Sequence, residues 1–577
     1  MDNPQLASSV LTYDMAATAQ ARIDEEVAEY IQSIRCLHTE RNTLSPISRL
    51  PNETLASIFI HCARDYFDNH DGRPISTAPT WVHVSYVCRH WRNVALGCPT
   101  LWTYLFIASP RWTDELLARS KQAPLKVHMK PYRRDNLAFV AQLKNHVERV
   151  QEFRLALPGV RSVHQFFSEL SSPTPHLQHF EVSIELNDDS DDLVPPYPSV
   201  LFDGDTPTLR TLALSHCPLP WYSLKLSSLT TLNLFVVPVR FRQTTKEFLT
   251  TLSCMQDLVY LYLEDALASA TDFLSGTAFS TLQKIDLPHL SRCLIAAPLS
   301  TVIALLSCVN IPLTTEVRLE CVSEDDTSLD DYATLTSLIA QLFSMSHDRA
   351  PSGLNIRSLV IDSYGSLAKL TFSVSERHCE SFRYITHKEW DRNIPLAICF
   401  FFGQSTEEDD QDRIISDICR SIPLNHVQST HILEPQFRWS STFWERILGH
   451  LPGLQYLKLS RGSMPNLAPV LSVTSPGCTE NKRSHADCGL NPVFVPSLKE
   501  LELHESTATN LQALCDALST RRESPGLLTM TRCAEYIDGC KKKFNMVGQW
   551  EGGRFYVVER RNLRQHYSIF MSSDEDE

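Results

Sequence analysis

Short units of the form LxxLxL recur along most of the chain, and they constrain its fold more than any other feature. The clear units begin at Val150, Leu209, Leu229, Leu258, Leu282, Ile356, Leu454 and Leu498, and weaker ones at Leu177, Val317 and Val427. One such unit cannot bury its leucines alone, so neighbouring units must stack against each other.

The units predict an α/β fold in which each contributes one short parallel strand, with helices on the outside. Only LRTLALSHCPL, from Leu209, carries the full L-x-x-L-x-L-x-x-N/C-x-L pattern, and the spacing between units is uneven. We therefore predict an irregular leucine-rich-repeat solenoid over residues 108–545. Outer helices are expected at 136–150 and 330–346, and surface loops at 185–207 and 472–492. Residues 546–577 form a C-terminal segment with an acidic tail.

A heptad pattern precedes these repeats, in the segment 1–45. The apolar positions Ile23, Val27, Tyr30, Ile34, Leu37 and Leu44 follow steps of four and three. A seam this short is marginally stable as a coiled coil by itself. We interpret it as an amphipathic helix that packs against the next domain, with self-association as the alternative.

Residues 46–107 predict a compact helical hairpin. Pro51 suits a first helical turn and Glu53 the positive end of the helix dipole. The first helix has an apolar stripe that consists of Leu55, Ile58, Phe59 and Cys62, and the second has one that consists of Val84, Val87, Cys88, Trp91, Val94 and Ala95. The polar stretch between them breaks the helix, and Pro99 ends the second stripe before Leu101 and Trp102.

Composition argues against several classes of function. The formal net charge of −14 disfavours nucleic-acid binding, which needs a basic face. The chain has 17 cysteines but no CxxC pair, and its N-terminus lacks the features of a signal peptide. We expect reduced thiols, no membrane span and a cytoplasmic and/or nuclear location. Because no catalytic, nucleotide-binding or zinc motif is present, we expect no catalytic residues, no cofactor and no metal.

The hairpin resembles the F-box family, specifically the F-box proteins with degenerate leucine-rich repeats that are abundant in mushroom-forming fungi. The resemblance is carried by Leu50-Pro51-x-Glu53-x-Leu55-x-x-Ile58-Phe59, by VCRHWRNVA from Val87, and by Leu101-Trp102. The stretch between the helices, about 61–81, is longer than in compact F-boxes.

The resemblance implies a non-catalytic subunit of an SCF-type ubiquitin ligase. Such a subunit docks on the Skp adaptor, and through it on cullin and RING subunits, and holds a protein substrate. The implied adaptor-binding residues are Leu50, Pro51, Glu53, Leu55, Ile58, Phe59, Val87, Trp91, Leu101 and Trp102. A structural scaffold whose F-box-like hairpin only caps the repeats is the alternative.

The positions between inward-facing leucines point to one exposed surface of a repeat array. Aromatic side chains there are candidate anchors for a protein substrate, because aromatic residues contribute much of the binding energy at interfaces. The candidates are Phe235, Tyr260, Tyr262 and Tyr456.

Overall fold

The computed structural model forms two compact units, Met1–Leu209 with Ser223–Lys225, and Arg210–Tyr222 with Leu226–Glu577. The structure describes residues 4–68, 79–106, 110–129, 141–157, 159–169, 172–184, 200–269, 284–325, 327–344, 356–362, 369–375, 395–402, 408–433, 441–460, 467–471, 495, 497–505, 507–508, 511–519, 521, 526–537, 540–551 and 554–562. The predicted loop at 472–492 lies outside them. The domain limits given above (1–45, 46–107, 108–545 and 546–577) remain predictions.

The helices in chain order are α1 (Pro4–Thr43), α2 (Asn52–Asp68), α3 (Arg89–Leu96), α4 (Pro110–Ser120), α5 (Val160–Glu169), α6 (Thr245–Leu252), α7 (Leu299–Cys308), α8 (Leu329–Ser344), α9 (Glu408–Ser421), α10 (Ser441–Gly449), α11 (Leu467–Leu471) and α12 (Leu511–Ser519). The helix predicted at 330–346 is confirmed over residues 330–344, as α8. Of the one predicted at 136–150, residues 136–140 lie outside the described residues, and Lys144–Arg149 is a 3-10 turn before a strand.

The strands are β1 (Tyr104–Phe106), β2 (Leu125–Met129), β3 (Val150–Leu157), β4 (His179–Ile184), β5 (Thr211–Ser215), β6 (Thr231–Phe235), β7 (Tyr260–Glu264), β8 (Ile285–Asp286), β9 (Arg292–Pro298), β10 (Val309–Asn310), β11 (Glu316–Val322), β12 (Ser358–Asp362), β13 (Lys369–Ser375), β14 (Leu396–Phe401), β15 (Ser429–Leu433), β16 (Tyr456–Ser460), β17 (Glu500–His504), β18 (Thr507–Ala508), β19 (Gly526–Ile537), β20 (Cys540–Glu551) and β21 (Arg554–Asn562). The fold is therefore mixed α/β, with a helical N-terminal region followed by strands and further helices.

Helix α1 exposes its whole heptad seam. Every side chain from residue 15 to residue 41 is exposed, including Val27, Ile34 and Leu37 of the seam. The interpretation that this helix packs against the next domain is therefore wrong. Its apolar residues contact water because, among the described parts of the chain, no element covers them.

In the first unit, β1 to β4 pair in parallel in chain order. The core beside them is rich in phenylalanine. Two strand residues, Phe153 and Phe180, pack against Phe167 of α5 and against Phe202, and all four are buried. Phe202 stacks on Phe153 with ring centroids 5.9 Å apart. The end of the loop predicted at 185–207 thus belongs to the core, while residues 185–199 of it lie outside the described residues.

In the second unit, parallel strands pair in the order β5, β6, β7, β9, β11 and β14 at one end. At the other end β12, β15, β16, β17 and β19 are also parallel. Strand β13 joins the two sets and is antiparallel to both β14 and β12. The last strands, β19 to β21, form an antiparallel meander.

The leucines of the repeated units are stacked in register. Leu212, Leu232 and Leu261 lie side by side on β5, β6 and β7, and all three are buried. Leu457 and Leu501 pair in the same way on β16 and β17. These units therefore bury their leucines against those of their neighbours, as the LxxLxL spacing predicts.

The unit predicted at Leu282 is an exception. Its described part forms the two-residue strand β8, which pairs with β10 in a separate two-stranded sheet. The strand beside β7 is instead β9, with sequence RCLIAAP, which lacks the LxxLxL pattern. Both faces of β9 carry buried residues, Cys293, Leu294 and Ile295 among them. A strand buried on both faces reads as a continuous apolar run, so the alternating pattern does not identify it.

Candidate protein-interaction surfaces

The hairpin predicted at 46–107 consists of α2, a 3-10 turn at Thr80–Tyr86, α3 and a second 3-10 turn at Pro99–Trp102. The second predicted stripe is therefore divided between two elements. Helix α3 begins after Cys88, whose side chain accepts a hydrogen bond from the backbone N–H of Trp91. Such N-capping satisfies an otherwise unpaired helix-end donor and sets where α3 starts.

Four of the predicted adaptor-binding residues form the core of this hairpin. Leu55, Phe59, Leu101 and Trp102 are each at most 1% exposed. The indole N–H of Trp102 donates to the backbone carbonyl of Ala95 at 2.8 Å. These residues hold the hairpin together and present no surface to a partner.

Trp81, which the sequence patterns did not single out, belongs to the same core. Its ring meets that of Trp102 edge to face, with centroids 5.4 Å apart. The residue lies in a 3-10 turn, where neither helical nor strand periodicity applies. Its aromatic character was the one available signal.

The remaining predicted residues lie at or near the surface. Ile58 is 40% exposed and Val87 is 59% exposed, and Pro51 and Glu53 are also exposed. Leu50 and Trp91 are half-buried. The Trp91 ring packs on Phe59 with centroids 5.1 Å apart, so one of its sides belongs to the core. The hairpin has three further exposed apolar side chains among its described residues, those of Ile47, Tyr86 and Leu96.

Tyr86 and Val87 stand together at the junction of the 3-10 turn and α3. Arg92 fixes this junction, because its Nε donates to the carbonyl of Ser85 at 2.9 Å. The Arg92 guanidinium also lies 5.9 Å from the centroid of the Tyr86 ring, within cation–π range. An exposed apolar pair that is held in place is suited to bind a protein partner.

A mixed aromatic and charged cluster connects α2 to the strands of the first unit. Phe67, near the end of α2, stacks on Tyr104 of β1 with ring centroids 4.7 Å apart. Beside Tyr104, His128 contacts Glu152 Oε1 at 3.0 Å. Residues far apart in sequence therefore couple the hairpin to β1, β2 and β3.

Glu152 is the centre of this cluster and is buried. Arg154 Nε lies 2.7 Å from one of its carboxylate oxygens, and Lys126 Nζ lies 3.6 Å from the other. Burial by itself raises the pKa of Glu152. The hydrogen bond with His128 and the charges of His128, Arg154 and Lys126 outweigh burial and lower that pKa to about 2.

Three of the four candidate substrate-binding aromatics lie close together in the second unit. Tyr262 faces Phe235 of the adjacent strand with ring centroids 6.4 Å apart. Tyr260 lies two residues before Tyr262 on β7 and is 42% exposed. Tyr456 lies on β16, and β9, β11, β14, β13, β12 and β15 separate it from β7. The sheet does not bring Tyr456 to the other three.

Charged residues flank these aromatics. Arg292 on β9 pairs with Glu316 on β11 at 3.0 Å and lies 5.8 Å from the Tyr260 ring centroid. The Tyr262 hydroxyl donates to Glu264. Burial raises the pKa of Tyr262, and the hydrogen bond to Glu264 raises it further. Arg292 was missed because β9 has no LxxLxL pattern.

Within the described residues, no group of three or more His, Cys, Asp and Glu side chains is arranged to hold a metal ion. Most of the described cysteines in the second unit are buried. Burial raises the pKa of the Cys293 thiol to about 12 and that of the Cys419 thiol still higher. These thiols are protonated at neutral pH and act as small apolar core residues. No described helix is both long enough and apolar enough to span a bilayer.

Comparison with known proteins identifies one domain. Residues 47–108 match the model of the F-box-like family, which covers the hairpin described above. No curated protein matches the chain significantly. The chain thus carries an F-box-like domain, and F-box domains are typically non-catalytic protein-interaction modules.

Proposed function

We propose that this protein is the substrate-recognition subunit of an SCF-type E3 ubiquitin ligase. The observation that carries the proposal is the F-box-like match over residues 47–108, at a hairpin that exposes apolar side chains. In this proposal the domain docks on a Skp adaptor, which connects it to cullin and RING subunits. The complex acts in the cytoplasm and/or the nucleus.

Burial divides the predicted adaptor-binding residues into two roles. Pro51, Ile58 and Val87 are exposed and would contact the adaptor directly, as would the exposed side of Trp91. The fully buried residues of the hairpin act from inside, since they set the positions of α2 and α3. Exposed apolar side chains gain binding free energy when a partner removes them from water.

The second half of the proposal concerns the substrate. The stacked leucine strands support an irregular leucine-rich-repeat solenoid, whose array of strands offers a broad surface for a protein partner. Phe235, Tyr260 and Tyr262 are the proposed substrate anchors there. Tyr456 would serve a different part of the substrate, because it lies on a distant strand.

No covalent step is assigned to this protein. Its contribution to ubiquitin transfer is proximity: a bound substrate has its lysines held near the ubiquitin-loaded conjugating enzyme. Holding two reactants together raises their effective concentration and removes much of the entropic cost of the encounter.

Adaptor docking is tested by co-purification of the full chain with a Skp adaptor. The double substitution Ile58→Asp and Val87→Asp places charges on the exposed apolar surface and is expected to abolish binding. The matched control is Ser57→Asp with His90→Asp, which adds the same charges at exposed polar positions of α2 and α3. The control is expected to retain binding.

Absence of binding by the unsubstituted chain would contradict the proposal, as would binding that survives the Ile58 and Val87 substitutions. In that case the alternative of a structural scaffold, in which the hairpin only caps the repeats, would be favoured. Affinity purification with the proteasome inhibited, followed by mass spectrometry, then distinguishes ubiquitinated targets from stable partners.

A further inference from the structure

The exposed seam of α1 carries an inference that does not depend on the proposed function. Ile23, Val27, Tyr30, Ile34 and Leu37 follow one another along the helix, and each is 47% exposed or more. Single exposed apolar residues are common on protein surfaces, but a continuous stripe of them marks a contact surface. The seam therefore lacks the partner that would remove it from water.

The residue types in the seam indicate a two-helix pairing. In heptad notation Val27 and Ile34 occupy a positions, and Ile23, Tyr30 and Leu37 occupy d positions. The flanking e and g positions are polar apart from Ile31, and a stripe confined to a and d positions is the narrow seam of a coiled coil. One additional helix is thus sufficient to cover the seam.

Charge along the helix favours a second copy of the same helix in the opposite direction. Residues 22–30 carry four carboxylates and one arginine, whereas residues 34–43 carry two arginines and one carboxylate. Antiparallel pairing places the acidic half of each copy beside the more basic half of the other. Parallel pairing would place the two acidic halves side by side, where their like charges repel.

Arg41 gives a second reason for the antiparallel direction, because it occupies the next a position of the seam. In a parallel dimer the two Arg41 side chains would face each other in one layer, which is unfavourable for like charges. In an antiparallel dimer each Arg41 lies beside Ile23 of the second copy and close to its Asp24. The carboxylate then partners the guanidinium at the end of the seam.

We infer that α1 pairs with α1 of a second copy of this chain as a short antiparallel coiled coil. In this register Val27 lies opposite Leu37 of the second copy, and Tyr30 lies opposite Ile34. Ile31 is 43% exposed in the single chain, and in the pair the Ile31 side chains of the two copies meet beside the centre of the seam. Glu26 faces Glu40 at one flank and weakens the pair, while Asp24 faces His38 at the other.

The first test measures the mass of the full chain by light scattering over a wide range of concentration. The expected result is twice the chain mass of 65.5 kDa for the unsubstituted protein and a single chain mass for Val27→Asp with Ile34→Asp. The control, Ala28→Asp with Gln32→Asp, adds the same charges to the outer face of α1 and is expected to stay dimeric. A monomeric unsubstituted chain, or a dimer that the seam substitutions do not affect, overturns the inference.

The second test determines direction by disulfide formation. A mixture of Val27→Cys and Leu37→Cys chains is expected to cross-link between the two variants when oxidised, above the background set by the unsubstituted chain with its exposed Cys36. A parallel dimer would instead cross-link Ile23→Cys chains to each other, and that result overturns the antiparallel arrangement. Adaptor binding is scored separately with the same variants, so failure of one proposal is distinguishable from failure of the other.

Discussion

The backbone N–H of Val236 donates to the carbonyl of Glu264 at 2.7 Å, from a backbone in the left-handed region at φ 46°. Val236 directly follows β6, and Glu264 ends β7. Equivalent residues follow other strands: His216 after β5, Asp265 after β7 and Glu505 after β17, all at positive φ. Each donates its N–H to a carbonyl of the neighbouring strand. The units are therefore alike in their turns as well as in their leucines.

Val236 is poorly suited to this turn, because a β-branched side chain is strained at positive φ. Asparagine tolerates the left-handed region, so Val236→Asn is expected to raise the free energy of unfolding by about 1 kcal/mol. Val239→Asn, at an exposed position outside the left-handed region, is the control and should have almost no effect. Urea unfolding measures both. A variant less stable than the unsubstituted protein would contradict the prediction.

Within α2, two neighbouring apolar positions are expected to differ in their effect on stability. Leu55 is fully buried, so Leu55→Ala should lower the free energy of unfolding by about 2–5 kcal/mol. Ile58 is 40% exposed, and Ile58→Ala should change the free energy of unfolding by less than about 1 kcal/mol. Equal losses in chemical denaturation would mean that Ile58 is buried in solution and does not form a docking surface.

Acid is expected to weaken the first unit through Glu152. The pKa of this carboxyl is about 2 in the folded chain against an ordinary value of 4.5, so the unfolded chain binds the proton more tightly. The stability that Glu152 contributes is complete above pH 4.5 and is lost as the pH falls through about 2. Glu152→Gln should be less stable at pH 7, and its difference from the unsubstituted protein should shrink over this window.

The control for that experiment is Glu181→Gln, an exposed carboxylate that faces the same Arg154 at 3.8 Å. Exposed ion pairs contribute little to stability, so this change should have a small effect at every pH. A constant difference between the Glu152→Gln and unsubstituted proteins from pH 5 to pH 2 would disprove the role of Glu152.

His431 in the second unit is expected to make stability depend on pH in a higher range than Glu152 does. Burial and, to a lesser degree, the charges of Lys458 and His504 lower its pKa from 6.5 to about 4, against the opposing charge of Glu502. Because the unfolded histidine takes up its proton first, stability is complete above pH 6.5 and is lost as the pH falls towards 4. His431→Gln should remove this loss, whereas His83→Gln, at an exposed position, should keep it. Thermal unfolding between these pH values measures the difference.

Much of this fold is predictable from sequence where the spacing of apolar residues matches the period of an element. The units at Leu209, Leu229 and Leu258 form adjacent parallel strands, and the hairpin at 46–107 corresponds to the F-box-like match at 47–108. The strands β9 and β13 were not predicted. One is buried on both faces, and the other lies antiparallel between two sets of parallel strands, so neither has the repeat pattern.

The candidate sites follow the same division. The sequence identifies the residues of the hairpin but not which of them face outward. Leu55 and Ile58 are both aliphatic residues of one apolar stripe, yet Leu55 is buried and Ile58 is exposed. Likewise, four aromatics were predicted to share a surface, and the strand order separates Tyr456 from the other three. Local periodicity cannot encode how many strands lie between two units.

The sequence by itself determined the kinds of elements in this protein: a heptad helix, an F-box-like hairpin and stacked leucine strands. These follow from short-range spacing, because side chains three, four or two positions apart share a face of a helix or strand. The tertiary structure alone decided which apolar residues are covered. Covering requires contacts between distant segments, such as Trp81 on Trp102 or Phe67 on Tyr104, and only the folded chain brings those segments together.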